Sequence, residues 1–284
     1  MLKQLAEIDA DKAAAFAWRL LGSAENQSYP LYQSLKEVEK EFTSRALGAY
    51  SGLYGYCYAN ELIGVLCYFA HPEDKYLQTV AFLAAEDHTA VFAAFLSFLR
   101  ESYAGFKVLI GITEENVKVA DALLRFGYTL VEASEDMRLS KSRFVYGAQP
   151  GYDVERINKA CFHEYAGFHD RYFGDIYWNA ARLYDKADDW YIFVIRNAGK
   201  IGGSLFLTTY QNTAEIFGMT VEDMPMDSGA DAFLLNALEI VFRDNASVNN
   251  VIFLVDEKYT CNLAVAKRAG FDVIGRYRCY AYVG

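Results

Sequence analysis

Apolar and polar positions along the chain follow an order that occurs twice. The segments 107–140 and 250–283 each read as a short apolar strand, a polar turn, an amphipathic helix and then two β-like closing stretches. Each helix stops at a glycine that an aromatic residue follows, Gly127 in the first segment and Gly270 in the second, 143 positions apart. Glycine suits a helix C-terminus because it adopts positive φ at little steric cost. The pattern predicts a duplicated unit.

The correspondence continues upstream of these two segments. In both copies a hairpin, a third apolar strand and a long apolar helix come in the same order. In the first copy these are 54–69, 76–84 and 90–102, and in the second they are 190–207, 214–221 and 232–244. Opening helices are expected at 11–21 and 34–45 in the first copy and at 153–166 and 176–184 in the second. A linker is expected at 142–153, where Gly147, Pro150 and Gly151 interrupt the pattern.

Composition and charge exclude several classes of function. The net charge of −10 divides evenly between the two halves, and no basic stripe is present that could bind a nucleic acid or an anionic membrane. An amine or cationic substrate is compatible with this charge. The five cysteines form no C-x-x-C pair and the N-terminus has no apolar signal core, which is typical of a cytoplasmic protein. The four histidines show no metal-ligand spacing, so no metal is expected.

The order of helices, hairpin, strand, helix, strand, helix and closing strands resembles the GNAT (N-acetyltransferase) superfamily. The endings 115–139 and 264–280 look like the closing helix and strands of that superfamily. The resemblance implies an α/β fold with a mixed sheet in two tandem GNAT-like domains, 1–143 and 150–284. It also implies acetyl-CoA as cosubstrate, held where the third and following strands splay apart and where the next loop opens a helix.

The loop after the third strand departs from the family's Q/R-x-x-G-x-G/A pattern. The first copy has no glycine at 84–95, so the resemblance implies a cofactor site in the second copy. That site would consist of Met219, Val221, Met226, Ser228, Gly229, Ala230 and Asp231. Residues 228–231 also form a capping-box pattern, so an ordinary helix cap is an equal alternative. The Asp231 carboxylate would stabilise the helix start but oppose a diphosphate.

Candidate catalytic residues come from the same resemblance. Glu215, on the third strand of the second copy, is similar to the strand glutamate that acts as general base in several GNAT proteins; a solvent-facing sheet glutamate is the alternative. The position of the family's acidic tyrosine is Leu123 in the first copy and Ala266 in the second. Candidate substitutes are Tyr259, Tyr280 and Tyr282, and ordinary core or surface packing is the alternative for each. Asn116 matches the family's helix-start asparagine, or else it caps its helix. Lys267 and Arg268 could meet a CoA phosphate or lie on a solvated helix face.

Two functions follow from these expectations. The first is acetyl-CoA-dependent N-acyl transfer by the second copy to a small-molecule or peptide amine, with neither nucleic acid nor membrane as partner. The second is a degenerate GNAT pair that binds a ligand or partner without catalysis, which the lost tyrosines, the lost glycines and Asp231 favour. The sequence names no acceptor and leaves open whether the chain forms a homodimer.

Overall fold

A computed structural model describes residues 1–6, 9–145, 153–222 and 230–283. The chain divides into two compact units. Unit 1 comprises Met1–Ala133 and Gly275–Gly284, and unit 2 comprises Ser134–Ile274. Both are helix-covered mixed sheets, and the predicted α/β class is confirmed.

The sheet of unit 1 has the strand order β1-β2-β3-β4-β5-β12. These strands are β1 (Leu2–Gln4), β2 (Ser51–Tyr58), β3 (Glu61–His71), β4 (Tyr76–Ala84), β5 (Lys107–Thr113) and β12 (Asp272–Val283). Neighbouring strands are antiparallel except β4 and β5, which are parallel. The helices of this unit are α1 (Ala10–Leu21), α2 (Leu35–Leu47), α3 (His88–Ser102) and α4 (Val117–Arg125). One apolar core lies under α1 and α2 and another under α3 and α4.

The sheet of unit 2 repeats this plan in the order β7-β8-β9-β10-β11-β6. These strands are β6 (Thr129–Ser140), β7 (Glu155–Ile157), β8 (Trp190–Asn197), β9 (Lys200–Tyr210), β10 (Thr213–Val221) and β11 (Asn250–Asp256). The parallel pair is β10 and β11, the counterpart of β4 and β5. The helices are α5 (Phe162–Phe173), α6 (Ala180–Asp185), α7 (Ala230–Asp244) and α8 (Thr260–Arg268). The α5 and α6 helices cover one core, and α7 and α8 cover the other.

The glycines that end α4 and α8 have the backbone conformation that the sequence predicts. Gly127 has φ +83° and Gly270 has φ +93°. After each glycine, the next main-chain N–H returns to a carbonyl five residues back: Tyr128 to Leu123 and Phe271 to Ala266, both at 3.0 Å. This bond satisfies an orphan carbonyl of the last helical turn. The aromatic side chains of both residues are buried, which fixes the direction of the closing strand.

The boundaries between the two units differ from the domain boundaries expected at 143 and 150, because each closing strand belongs largely to the other unit. From Ser134 onward β6 belongs to unit 2, where it pairs with β11, and from Gly275 onward β12 belongs to unit 1, where it pairs with β5. The two copies therefore exchange their last strands. Each closing segment is one unbroken strand where the sequence predicted two β-like stretches.

The segment 153–166 was expected to be an opening helix, and this prediction is wrong in its first half. Glu155–Ile157 forms β7 and pairs with β8, while α5 begins at Phe162. The strand is favoured because Ile157 is buried and the Arg156 guanidinium lies 4.3 Å from the centre of the Tyr191 ring. The short β1, its counterpart in unit 1, has no signal in the sequence either.

None of the helices within the described residues has the length and hydropathy needed to span a membrane.

Candidate active site

The parallel strands of unit 2 separate half-way along their length. β10 and β11 pair from Thr213 opposite Asn250 to Ile216 opposite Phe253, although both strands continue further. The register of β10 against β9 shifts at Phe217, which forms a β-bulge. A bulge increases local twist and bends the strand that carries it. Residues 219–221 of β10 and residues 254–256 of β11 therefore lie beyond the paired part of the two strands, and the region between them is here called the unit 2 gap.

Unit 1 has the same feature at equivalent positions. β4 and β5 pair from Tyr76 opposite Lys107 to Gln78 opposite Leu109, and the β4 register shifts at Val80. The unit 1 gap therefore lies between residues 82–84 and residues 110–113. Counted from the two bulges, Phe82 corresponds to Met219.

The unit 1 gap is filled by the chain itself. Ser28 forms an antiparallel bridge with Ile112, and the Tyr29 N–H donates to the Gly111 carbonyl at 2.9 Å. On the other side, the Phe82 N–H donates to the Ser28 hydroxyl at 3.3 Å. The short segment 27–29 thus lies between the two strands and bonds to both.

Asn116 holds this inserted segment. Its side-chain amide donates to the Gln27 carbonyl at 3.1 Å, and its side-chain oxygen accepts from the Val119 N–H at 3.4 Å. Asn116 is therefore the N-cap of α4 and an anchor of the inserted segment at once. The Thr113 hydroxyl adds a further bond to the Ala24 carbonyl at 2.6 Å.

The corresponding connection in unit 2, residues 174–179, is tied to α5 instead. The Asp170 carboxylate accepts from the Ala180 N–H at 2.8 Å. His169 is buried, and its Nε2 lies 2.8 Å from the Trp178 carbonyl while its Nδ1 lies 2.8 Å from the Tyr165 hydroxyl. Burial lowers the pKa of His169, so the ring is neutral, with Nε2 as donor and Nδ1 accepting from Tyr165.

Main-chain groups of β10 point into the unit 2 gap at Met219 and Val221. The Glu222 N–H donates to the Gly202 carbonyl at 2.7 Å, on the β9 side. Because hydrogen-bonding direction alternates along a strand, residues 219 and 221 direct their N–H and C=O groups away from β9. The Met219 carbonyl accordingly accepts from the Asn262 side-chain amide of α8 at 3.0 Å.

Glu215 lies on β10 before the bulge, opposite Thr208 of β9 and Ile252 of β11. Its neighbours Ala214 and Ile216 belong to the core under α7 and α8, so the Glu215 side chain is on the face covered by α5 and α6. The side chain is half-buried. The equivalent position in unit 1, counted from the bulge, is Gln78, whose side-chain oxygen accepts from the Tyr76 hydroxyl at 2.7 Å.

Part of the predicted cofactor loop lies outside the described residues, namely Met226, Ser228 and Gly229. Ala230 is the first described residue of α7, and Asp231 follows it in the first turn. The Asp231 carboxylate lies 3.5 Å from Nε of Arg268 on α8, and both side chains are about one-third exposed, at 33% and 38%. This arginine neutralises part of the negative charge that the sequence placed at the helix start.

Tyr259 does not lie beside Glu215. It precedes α8, has 51% of its surface exposed and carries the Lys258 ammonium 4.8 Å from its ring centre. It follows the end of β11, which continues four residues beyond Ile252, about 13 Å of strand.

Ala266, at the position where the resemblance places an acidic tyrosine, is fully buried. In the described part of the chain, no three His, Cys, Asp or Glu side chains are grouped to bind a metal.

Sequence reasoning missed Asn262 and the inserted segment 27–29. The sequence does contain a signal for Asn262. The buried residues of α8 are Val265 and Ala266, and the buried Ala269 follows one turn later. Asn262 lies three and four positions before the first two, so it is the polar member of an apolar helix face. The insertion of 27–29 joins residues that are 54 to 89 positions apart, and local patterns carry no such information.

Solved structures with the same architecture cover nearly the whole chain. A GCN5-related N-acetyltransferase from Sphaerobacter thermophilus superposes with a TM-score of 0.72 at 16% identity, covering 99% of this chain and 95% of that chain. A tandem GNAT protein from the clavulanic acid biosynthesis pathway gives 0.63 at 13% identity, covering 99% and 98%. The fold is that of a tandem GNAT protein. A GCN5-related N-acetyltransferase from Kribbella flavida gives 0.56 at 14% identity, covering 97% and 96%.

A scan against family models gives no match to this sequence, and a search of curated proteins gives none either. The tandem GNAT fold is thus established by structure, at identities that show the fold alone. Within it the two copies are unequal, because one gap is filled by the chain's own segment and the other borders the main-chain groups of Met219 and Val221.

Proposed function

We propose that unit 2 is an acetyl-CoA-dependent N-acyltransferase that acts on an amine, and that unit 1 has no cofactor site. The observation that carries this proposal is the difference between the two gaps. In unit 1 the Phe82 N–H is bonded to Ser28, whereas in unit 2 the strand alternation directs the equivalent Met219 N–H away from β9 and toward the gap. A thioester carbonyl needs such a donor as negative charge develops on its oxygen.

The remaining parts of the site are assigned by position. The Met219 and Val221 main-chain groups would bind the extended arm of acetyl-CoA. Its diphosphate would lie at the start of α7, near Ala230, where the main-chain amides of the first helical turn and the helix dipole favour an anion. Arg268 would add a positive charge there, and Asp231 would oppose it. The loop with Met226, Ser228 and Gly229 would complete this site.

Glu215 is the proposed general base. Met219 follows it by four residues, about 13 Å along the strand, so the proton would pass from the ammonium of the acceptor to Glu215 through water. The amine nitrogen then attacks the thioester carbonyl carbon in a ternary complex. A C–N bond forms, the nitrogen gives up its second proton to solvent, the C–S bond breaks, and CoA leaves as a thiolate that takes a proton from solvent or from Tyr259. Gln78 in unit 1 is unable to act as such a base.

Calorimetric titration with acetyl-CoA, combined with hydrogen exchange, tests the proposal. We expect one acetyl-CoA per chain and slower exchange at 219–221 and 230–232, with 82–92 unchanged. A panel of primary amines, assayed by release of the CoA thiol, then tests transfer. Protection at 82–92 instead would place the cofactor in unit 1. Binding without transfer to any amine would favour the non-catalytic alternative.

A further inference from the structure

Asn262 makes a contact that joins α8 to the unbonded side of β10. Its side-chain nitrogen lies 3.0 Å from the Met219 carbonyl oxygen. Because a carbonyl only accepts, the amide nitrogen and not the amide oxygen must face it. The contact is part-buried and reaches across the unit 2 gap from the helix that follows β11.

This bond replaces one that a continuous sheet would supply. Where the two strands are paired, main-chain groups of β11 form hydrogen bonds with those of β10, but this pairing ends at Ile216 opposite Phe253. Met219 is 4% exposed, so its carbonyl would lose a hydrogen bond on folding if no donor reached it. The Asn262 amide supplies that donor and fixes the strand at this residue.

The position of Asn262 on its helix supports a specific role. It lies in line with Val265 and Ala266, both buried in the core of unit 2. An amide on an apolar face carries a desolvation cost that is offset when its hydrogen bonds are made. The helix in unit 1 begins with a comparable amide, Asn116, but there the amide binds the inserted segment at Gln27 and not the strand.

We infer that Asn262 is a positioning residue for acyl transfer: by holding the Met219 carbonyl it keeps the Met219 N–H directed into the gap as the donor to the thioester oxygen. This inference rests on the function proposed above. Asn262 touches the strand and not the reacting atoms. It acts through Met219, so its loss should weaken polarisation of the thioester more than binding of acetyl-CoA.

Two variants test this role. Asn262→Asp keeps the shape of the side chain, but its carboxylate cannot donate a hydrogen bond to the Met219 carbonyl. Asn262→Ser keeps a polar side chain that is too short to reach this carbonyl. The probe is acetyl-CoA labelled with carbon-13 at the thioester carbonyl, measured by infrared difference spectroscopy. A hydrogen bond to the carbonyl lowers its stretching frequency. We expect a lowered band in the parent protein and a return toward the free value in both variants.

The kinetic expectation separates positioning from binding. The turnover rate should fall about 10- to 100-fold in both variants, less than the loss of a direct oxyanion donor. The KM and calorimetric Kd for acetyl-CoA should stay within about threefold of the parent. Asn116→Asp is the matched control, because it removes the same kind of bond in unit 1, and it should leave both the band and the rate unchanged.

The outcomes are distinguishable. If both variants fold, as judged by circular dichroism, and keep the lowered band and the parent rate, the inference is overturned while the proposed function stands. A higher Kd with an unchanged band would also overturn it, since Asn262 would then be a binding residue. If the parent protein binds no acetyl-CoA, the proposed function fails first and the inference fails with it.

Discussion

The main-chain N–H of Phe82 donates to the hydroxyl of Ser28, and both residues are buried in unit 1. Phe82 follows the β4 bulge by two residues, as Met219 follows the β10 bulge. The group that faces a gap in unit 2 is therefore already bonded within the chain in unit 1. The Tyr32 hydroxyl strengthens the same arrangement by donating to the carbonyl of the bulge residue, Val80, at 3.3 Å.

Ser28→Ala should destabilise the protein without changing acetyl transfer. The substitution leaves the buried Phe82 N–H without its partner, which costs about 1–3 kcal/mol of the free energy of unfolding. Urea denaturation followed by circular dichroism measures this change. The exposed Ser142 provides the control, and Ser142→Ala should alter the free energy by no more than about 0.5 kcal/mol. Equal effects for the two variants would show that the inserted segment contributes little to unit 1.

The charges at the start of α7 should act in opposite directions on CoA binding. Asp231→Asn removes a negative charge near the proposed diphosphate position, and Arg268→Gln removes a positive one. We expect the Kd for CoA to fall about fivefold in the first and rise about fivefold in the second, roughly 1 kcal/mol each at a partly exposed site. Calorimetry at low and high salt measures both, and the effects should shrink at high salt. Weaker binding by Asp231→Asn would instead make the helix-capping role of this carboxylate the dominant one.

The Glu114 carboxylate links β5 to β12 within unit 1 and should contribute a pH-dependent stability. Hydrogen bonds from Arg276 and Arg278 lower the pKa of Glu114 below its ordinary value. A lowered pKa in the folded state adds stability above the unfolded pKa, near 4.3, and this stability is lost as pH falls through the folded value. Glu114→Gln should therefore cost about 1 kcal/mol or less at pH 7, because the carboxylate is 41% exposed, and nothing at the acid end.

Chemical denaturation between pH 3 and pH 7 measures this difference. Glu115→Gln is the matched control, since Glu115 is the exposed neighbour. A Glu114→Gln cost that stays constant from pH 7 to pH 3 would show that the side chain acts by packing and not by its charge.

Features that depend on neighbouring residues were predictable from the sequence. The helix stops at Gly127 and Gly270 follow from the positive φ that glycine allows, and β4 begins and ends where its apolar run does, at Tyr76 and Ala84. β7 was not predicted, because Glu155–Ile157 is too short to show the alternation of apolar and polar residues typical of a strand and depends on β8 for its pairing.

Features that depend on distant contacts were not predictable. The order of elements shows that β6 and β12 close the two copies, but periodicity does not indicate which sheet each strand joins. The same holds for the candidate site. Glu215 could be placed on the third strand, whereas the Asn262 contact and the inserted residues 27–29 depend on tertiary packing.

Glu215→Gln should separate catalysis from binding in unit 2. The amide keeps the size of the side chain but accepts no proton at neutral pH, so turnover should fall about 10²–10⁴-fold while the Kd for acetyl-CoA stays the same. The parent rate should rise with pH as Glu215 loses its proton, and this rise should vanish in the variant. Gln78→Glu is the matched control in unit 1, where the filled gap should keep a new carboxylate inactive. Steady-state rates across pH measure both, and a Glu215→Gln rate within a few-fold of the parent would assign deprotonation to water or to another group.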